Sequence, residues 1–360
     1  RAGCPTVLVT GCWSNVDPDG AANLAGVHSV IRNEEKDFLV RDFLSLTPEV
    51  FDNLTIADDP RMALPGKQQR TRAFIKVQDG CDNFCTYCIT RIARGKARSS
   101  SVEQILHDIH AAERAGVKEV VLTGVHLASW GQDFDPPQHL KDLMETLLRR
   151  TTIPRIRLSS LEPWDLNAEF FELFREPRIC PHLHLPLQAG NDTVLKRMAR
   201  KITTAEFTTL VESVRAVVPD IAITTDIIVG FPGETEEQFE ESQRYVESVN
   251  FAGGHVFTFS AREGTPAAKY PDQLTKEVKK DRNARMRGVV QQSTDAYHQR
   301  FVGTTQEVLW ESGKQTDAGW LMSGLTRNYL RVKKITPETR WNQLEDVVLN
   351  RLDGNVFISE

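Results

Sequence analysis

From about residue 74 to residue 260, short β-rich runs alternate with segments of helical period, and nothing else in the 360-residue chain restricts its fold as tightly. The predicted strands are Phe74–Val77, Lys118–Val125, Arg155–Ser160, His182–Gln188, Ile221–Phe231 and His255–Ser260. Helix patterns such as Ser101–Ala115 and Thr235–Val249 lie between them, and Glu236 and Glu237 fall in the first turn of the second, where the helix dipole favours acid. Such a repeat builds a parallel sheet with helices on its faces, open or curled into a barrel. Six βα units suit an incomplete form of the eight-unit barrel, whose chemistry sits at the carboxyl ends of the strands.

Smaller units are expected on either side, so that the chain divides at residues 1–65, 66–300 and 301–360. The first has one clear strand, Thr6–Thr10, then a turn-rich stretch through Asn15, Asp17, Pro18, Asp19 and Gly20, and reads as the remnant of an α/β domain. The chain opens on Arg1 rather than Met, so further residues are expected upstream. The last unit has short β-like runs at Gln306–Trp310, Tyr329–Lys334, Val347–Leu349 and Val356–Ser359, as in a small antiparallel barrel. A basic helix, Lys276–Arg300, with a local balance of +4, forms the joint.

Hydrophobic residues at 40% and charged residues at 26% are ordinary globular proportions. No run approaches the roughly 18 apolar residues that span a bilayer, and Thr224, Thr225 and Asp226 interrupt the most apolar stretch. No membrane contact is expected, and with no secretory signal visible the cytoplasm is the expected compartment. A net charge of −5 excludes a surface coated with nucleic-acid-binding charge, although local strips can still hold phosphates. Candidate strips are Arg94, Lys96 and Arg98; Lys196, Arg197, Arg200 and Lys201; and Arg327, Arg331, Lys333 and Lys334.

Three of the six cysteines, Cys81, Cys85 and Cys88, crowd into VQDGCDNFCTYCIT directly after the first barrel strand. Clustered thiols in a reducing compartment serve as metal ligands or catalytic groups more often than as cystines. Thiolate is a soft donor suited to iron–sulfur clusters or zinc, and structural zinc asks for a fourth ligand that the loop does not supply. On a [4Fe-4S] cluster, three thiolates leave one iron open to a small molecule. Cys4 and Cys180 read as structural thiols.

Period-2 alternation sends His182, His184, Pro186 and Gln188 to one face and three leucines to the other, and places Arg155, Arg157 and Ser159 together. Leucines suit the helix layer. The polar set then points into the barrel, where residues either satisfy one another or meet a ligand. Thr123-Gly124 and the glycines of Val229–Gly233 mark strand exits where backbone can approach a ligand closely.

The cysteine loop resembles the signature of the radical S-adenosylmethionine superfamily, CxxxCxΦC, with Tyr87 at the aromatic position. The resemblance implies that Cys81, Cys85 and Cys88 hold a [4Fe-4S] cluster whose open iron binds S-adenosylmethionine and cleaves it to a 5′-deoxyadenosyl radical. Tyr87, Thr123, Gly124, Arg157, Ser159, Gln188 and Asp226 are the candidate cofactor contacts. Across residues 74–300 the chain looks like the methylthiotransferases, through CDNFCTYC, Arg94-Gly95, VLTGVHL, RIRLSSLEP, HLHLPLQAGND, TTDIIVGFPGET and HVFTFSAREGTPAA in order. Within that family these versions resemble the tRNA enzymes that modify C2 of N6-threonylcarbamoyladenosine at position 37. Arg91-Ile92, where the family usually has Pro-Tyr, and Ser100, where it usually has Arg, depart from the pattern.

The resemblance carries further expectations. The last 60 residues are similar to the family's TRAM RNA-binding barrel, with Tyr329-Leu330-Arg331-Val332 as its most recognisable strand. VTGCWSN makes Cys12 a ligand of a second, auxiliary [4Fe-4S] cluster that supplies sulfur, the other two ligands lying outside this sequence. The partners implied are a tRNA anticodon loop and a flavodoxin- or ferredoxin-type electron donor. The alternatives are a methylthiotransferase acting on a ribosomal protein and a non-catalytic RNA-binding protein with zinc in the cysteine loop.

Overall fold

The computed structural model describes residues 7–36, residue 39 and residues 71–360. Thr6, the expected boundary at residue 65 and Cys4 lie outside the described residues. Strands β1 (Leu8–Thr10) and β2 (Ser29–Ile31) pair in parallel. Helix α1 (Cys12–Val16) follows β1 and packs against α2 (Thr90–Arg94).

The barrel strands are β3 (Arg72–Lys76), β4 (Glu119–Thr123), β5 (Arg155–Leu158), β6 (His182–His184), β7 (Ala222–Val229) and β8 (Gly253–Thr258). All pairings are parallel and follow chain order, as β3-β4-β5 and β6-β7-β8. The bridges Ile156↔Ile179 and Ser160↔His184 join the two halves into one curled sheet. Among the described residues no pairing joins β3 to β8, so the curl stays open on one side.

The expected strands all form, but most are shorter than their apolar runs. The His182 run ends as a strand at His184 because Pro186 has no N–H to give a ladder. Gln188 then turns into the left-handed region at φ 77. The alternation of faces nonetheless persists, and Leu183, Leu185 and Leu187 join Ile156, Leu158, Val120 and Leu122 in the layer between sheet and helices. Each fully buried Leu, Ile or Val there contributes about 1.5–3 kcal/mol. Helices α3 (Val102–Arg114), α4 (Leu140–Arg150), α5 (Asp192–Arg197), α6 (Thr204–Val217) and α7 (Glu236–Val249) begin where their caps dictate. Ser101 caps α3, and Thr203 with Glu206 and Thr235 with Gln238 form reciprocal capping boxes.

The basic joint is α8 (Lys276–Gln299). Its Arg282 is committed to Glu234 and Glu236, and Arg285 to Glu236. Beyond it, β9 (Thr305–Thr316), β10 (Gly319–Thr326), β11 (Arg331–Thr336), β12 (Leu344–Val348), β13 (Arg351–Asp353) and β14 (Val356–Ser359) form a sheet of order β12-β9-β10-β11-β14-β13. The pairing is antiparallel except between β11 and β14, which run parallel. Trp310, Met322, Val332 and Phe357 form its core with Tyr297 and Phe301, and Ala222 and Ala252 of the barrel join them. Ala222 opens β7, so the C-terminal sheet covers the amino ends of the barrel strands.

A buried ionic lock fastens this floor and corrects one expectation. Arg157, expected to contact the cofactor, instead donates to Glu119 at 2.7 Å and 3.1 Å and to the backbone carbonyls of Arg327 and Thr326. Arg155 donates to Glu307 and to Leu325 O, and lies 3.8 Å from Glu119. Alternation placed both arginines on the inner face correctly, but the guanidinium of Arg157 is directed toward Glu119, the first residue of β4, and away from the strand exits.

Candidate active site at the cysteine loop

The loop leaves β3 through a short antiparallel pair, Gln78–Asp79 with Arg98–Ser99. Gly80 then turns at φ 76, and a Cβ there would lie 1.9 Å from the Lys96 carbonyl oxygen. Only glycine brings the chain round at this point so that Cys81 follows. Replacing Gly80 with Ala is expected to cost about 1–3 kcal/mol and to lower iron uptake by the loop, read from the denaturation midpoint and from iron content after reconstitution.

Each of the three thiols has a donor aimed at its sulfur. Asn83 N donates to Cys81 Sγ at 3.4 Å and Thr90 N to Cys88 Sγ at 3.4 Å, while Arg200 Nη1 lies 3.9 Å from Cys85 Sγ. Thr86 ties the loop to α5, through its N–H to Met198 O and its hydroxyl to Arg197 O. Tyr87 packs against the apolar cluster of Ala189, Phe231 and Phe259, and burial raises its hydroxyl pKa well above the usual value.

His126, from the VLTGVHL exit of β4, backs Cys81. Its backbone N–H donates to Gln78 Oε1 at 2.8 Å, and its ring Nε2 lies 2.7 Å from Asp165 Oδ2. Burial alone would lower the imidazole pKa, but Asp165 and Cys81 outweigh it and push it up to about 9. Burial alone would raise the Cys81 thiol, yet His126 and the Asn83 N–H hold it below its ordinary value. At Cys85 burial prevails over Arg200 and the thiol is raised. Arg200 in turn pairs with Glu162 at 2.8 Å, donates to Pro186 O and lies 4.3 Å from the Trp164 ring centre.

Sequence reasoning missed Asn83, His126, Asp165 and Arg200 in this role. His126 and Glu162 stood inside quoted motifs, but their partners are distant in sequence. The structure corrects the expectation of Arg200 and Arg197 as members of a phosphate-binding strip. Arg200 is buried against Glu162, and Arg197 donates to the carbonyls of Gly233 and Pro232. Lys196 and Lys201 of that strip are exposed.

Of the other candidate contacts, Thr123 ends β4, Gly124 and Ser159 directly follow β4 and β5, Gln188 lies beyond β6, and Asp226 is within β7. Thr123 Oγ1 donates to Ile75 O, and a Cβ on Gly124 would be 3.0 Å from Leu127 Cα. Ser159 Oγ, Gln188 Oε1 and Asp226 Oδ1 are buried atoms without a hydrogen-bond partner, while Asp226 Oδ2 lies 3.3 Å from His184 Nε2. An unpaired buried polar atom costs about 1–3 kcal/mol, so three of them, following β5, following β6 and on β7, suit a ligand rich in hydrogen-bonding groups. Among the described residues, no three Cys, His, Asp or Glu groups are arranged about a single-ion site. A four-iron cluster takes one thiolate per iron, and the loop offers three thiols with N–H or guanidinium donors already in place. Cys12 is exposed at the start of α1, and Cys180 is buried, its thiol pushed up to about 11 by burial.

Comparison with known proteins accords with this geometry. Residues 75–246 match the profile of the Radical SAM superfamily. The chain is 38% identical over 312 residues to "Threonylcarbamoyladenosine tRNA methylthiotransferase MtaB" of Thermotoga maritima, covering 85% of this chain and 70% of that protein. It is 35% identical over 334 residues to the Bacillus subtilis protein of the same name, covering 91% and 74%. It is also 40% identical over 278 residues to "tRNA-2-methylthio-N(6)-dimethylallyladenosine synthase" of Geobacillus thermodenitrificans, covering 77% and 53%. Among solved structures, the radical S-adenosylmethionine methyltransferase TsrM of Kitasatospora setae superposes with a TM-score of 0.58 at 13% identity, over 73% of this chain and 58% of that one, a likeness of fold.

Proposed function

The chain belongs to the radical-SAM tRNA methylthiotransferases, and from that premise we propose that it adds a methylthio group to C2 of N6-threonylcarbamoyladenosine at position 37 of tRNA. The observation that carries this reading is the extent of the match to the two threonylcarbamoyladenosine enzymes, which runs through the cysteine loop and every barrel strand exit. When bound, a [4Fe-4S] cluster on Cys81, Cys85 and Cys88 would supply an open iron for S-adenosylmethionine and the electron for its reductive cleavage.

The protein's own part is to hold and tune. His126 steadies Cys81 and Arg200 steadies Cys85, and Tyr87 anchors the loop in the apolar layer. Thr123, Gly124, Ser159, Gln188 and Asp226 are assigned to S-adenosylmethionine, the unpaired atoms of the last three supporting the assignment. Asp226→Ala is expected to raise the KM for S-adenosylmethionine about tenfold, measured from initial rates of 5′-deoxyadenosine formation.

Cys12 is assigned to an auxiliary [4Fe-4S] cluster that donates the sulfur. Its helix α1 packs on α2, which follows the cysteine loop directly, and Asn33 Nδ2 donates to Ala93 O at 2.6 Å. That placement supports a sulfur source beside the radical site. The C-terminal sheet is assigned to tRNA as a TRAM domain, with exposed Arg331, Lys96, Arg98, Lys196 and Lys201 available for phosphates and the anticodon loop read by stacking on splayed bases. A flavodoxin- or ferredoxin-type protein is the assigned electron donor, in the cytoplasm. No helix among the described residues is long and apolar enough to cross a membrane.

The test is nucleoside analysis of tRNA from cells lacking the gene. The 2-methylthio form should vanish while N6-threonylcarbamoyladenosine persists; unchanged tRNA together with a lighter ribosomal protein would contradict the reading.

A further inference from the structure

Tyr329 is where the C-terminal sheet enters the barrel. It lies between β10 and β11 at φ 72, a conformation that costs a bulky L-residue about 1–3 kcal/mol unless its surroundings enforce it. They do so here. Thr326 Oγ1 accepts from Leu330 N at 2.8 Å and donates to Asn328 Oδ1 at 2.6 Å, and Asn328 Nδ2 donates to the Tyr297 hydroxyl at 3.1 Å.

Held in this way, the Tyr329 ring stacks on His182 with centroids 4.7 Å apart and planes 26° from parallel. The Arg157 guanidinium lies 4.8 Å from the ring centre and that of Arg72 5.9 Å. His182 and Arg157 occupy the inner face of the sheet, since the adjacent Leu183, Ile156 and Leu158 are in the helix-side core. Yet Tyr329 remains 44% accessible as a residue, so its neighbours do not seal it off. His182 itself is 7% exposed, and its Nδ1 has no hydrogen-bond partner. Burial and the neighbouring Arg157 push its imidazole pKa well below the usual value. The surrounding arginines are matched by acids, Arg72 by Glu311, Arg155 by Glu307 and Arg157 by Glu119. The floor is therefore polar while its charges are paired off.

We propose that Tyr329 and His182 form the floor of the substrate pocket and read the polar N6 substituent of the target base, which makes the C-terminal sheet part of the specificity site. The proposal rests on the tRNA reading above. An aliphatic N6 substituent would leave the buried His182 nitrogen unpaired, whereas a carbamoyl group bearing an amino acid brings donors and acceptors to it. Sites built around buried polar groups discriminate strongly against analogues that lack the partner. In this assignment Tyr329 is a positioning and specificity residue.

The test is binding of the chain to anticodon stem-loops carrying threonylcarbamoyladenosine, dimethylallyladenosine or plain adenosine, followed by fluorescence anisotropy. Tyr329→Asn removes the ring but keeps a residue that tolerates positive φ. It should weaken the threonylcarbamoyl stem-loop about tenfold and leave the other two within about twofold. Tyr329→Phe should restore most of the loss, with the denaturation midpoint of each variant recorded alongside. Equal weakening of all three stem-loops, or none, overturns the floor assignment while the tRNA reading stands. Failure of the unaltered chain to bind any stem-loop overturns the tRNA reading and this inference with it.

Discussion

Replacing Glu119 with alanine is expected to destabilise the protein by about 3–5 kcal/mol, read from the shift of its urea midpoint. Glu119 is 1% exposed and accepts from Arg157, which is 2% exposed, and Arg155 at 1% stands beside them. Taking away the acid leaves two buried guanidinium groups with too little opposing charge, the costly way to break such a network. A total stability of about 5–15 kcal/mol is usual for a folded domain, so the loss should be plain in any unfolding curve. Replacing the ionic group with apolar residues of similar volume, as in Glu119→Leu with Arg157→Met, should return part of it.

The same residue sets an acid limit. Burial by itself would raise the Glu119 pKa, but Arg157, Arg155 and Arg72 hold it below the ordinary 4.5. The unfolded chain therefore takes up the proton more readily than the folded one. The contribution is complete above the unfolded value and disappears as pH falls through the folded one. Stability measured from about pH 6 down to about pH 3 should decline, and Glu119→Gln should flatten that decline while lowering stability at neutral pH.

Cys85→Ala should reduce reductive cleavage of S-adenosylmethionine to background while leaving the unfolding midpoint within about 1 kcal/mol of the parent. Cys85 lies in the loop and belongs to none of the apolar clusters that hold the barrel together. Its neighbour Arg200 keeps Glu162 and Pro186 O when the thiol is removed, so no buried charge is stranded. A loss of fold in this variant would mean that the thiol carries packing, which the contacts do not support. A fall in 5′-deoxyadenosine with the midpoint retained separates chemistry from architecture.

What could be read from the chain divides by the distance between partners. The CxxxCxxC spacing is local, as is the alternation that sent the leucines of the His182 run to the core and its histidines inward. Where a strand stops was less legible, because Pro186 and the positive φ at Gln188 cut the ladder without cutting the apolar pattern. Arg157 shows the same limit in another form. Alternation gives its face, but its partner Glu119 is 38 positions away and the carbonyls it meets lie beyond residue 325, so spacing alone does not separate a residue of the barrel floor from a cofactor contact. Strand β10 escaped notice because Gly319 and Gly324 interrupt its apolar run, and Gly324 is small for a reason, since a Cβ there would come within 2.3 Å of the Leu309 carbonyl oxygen. His126 stood inside a recognised motif, but its link to Asp165 spans 39 residues that no spacing rule connects.

Electron paramagnetic resonance of the chain, reconstituted anaerobically with iron and sulfide and then reduced, decides whether the cysteine loop holds the cluster. A [4Fe-4S] signal is expected that requires Cys81, Cys85 and Cys88 and changes shape when S-adenosylmethionine is added, as an iron without a protein ligand would take it. A signal indifferent to S-adenosylmethionine, or one that survives replacement of all three cysteines, would contradict it.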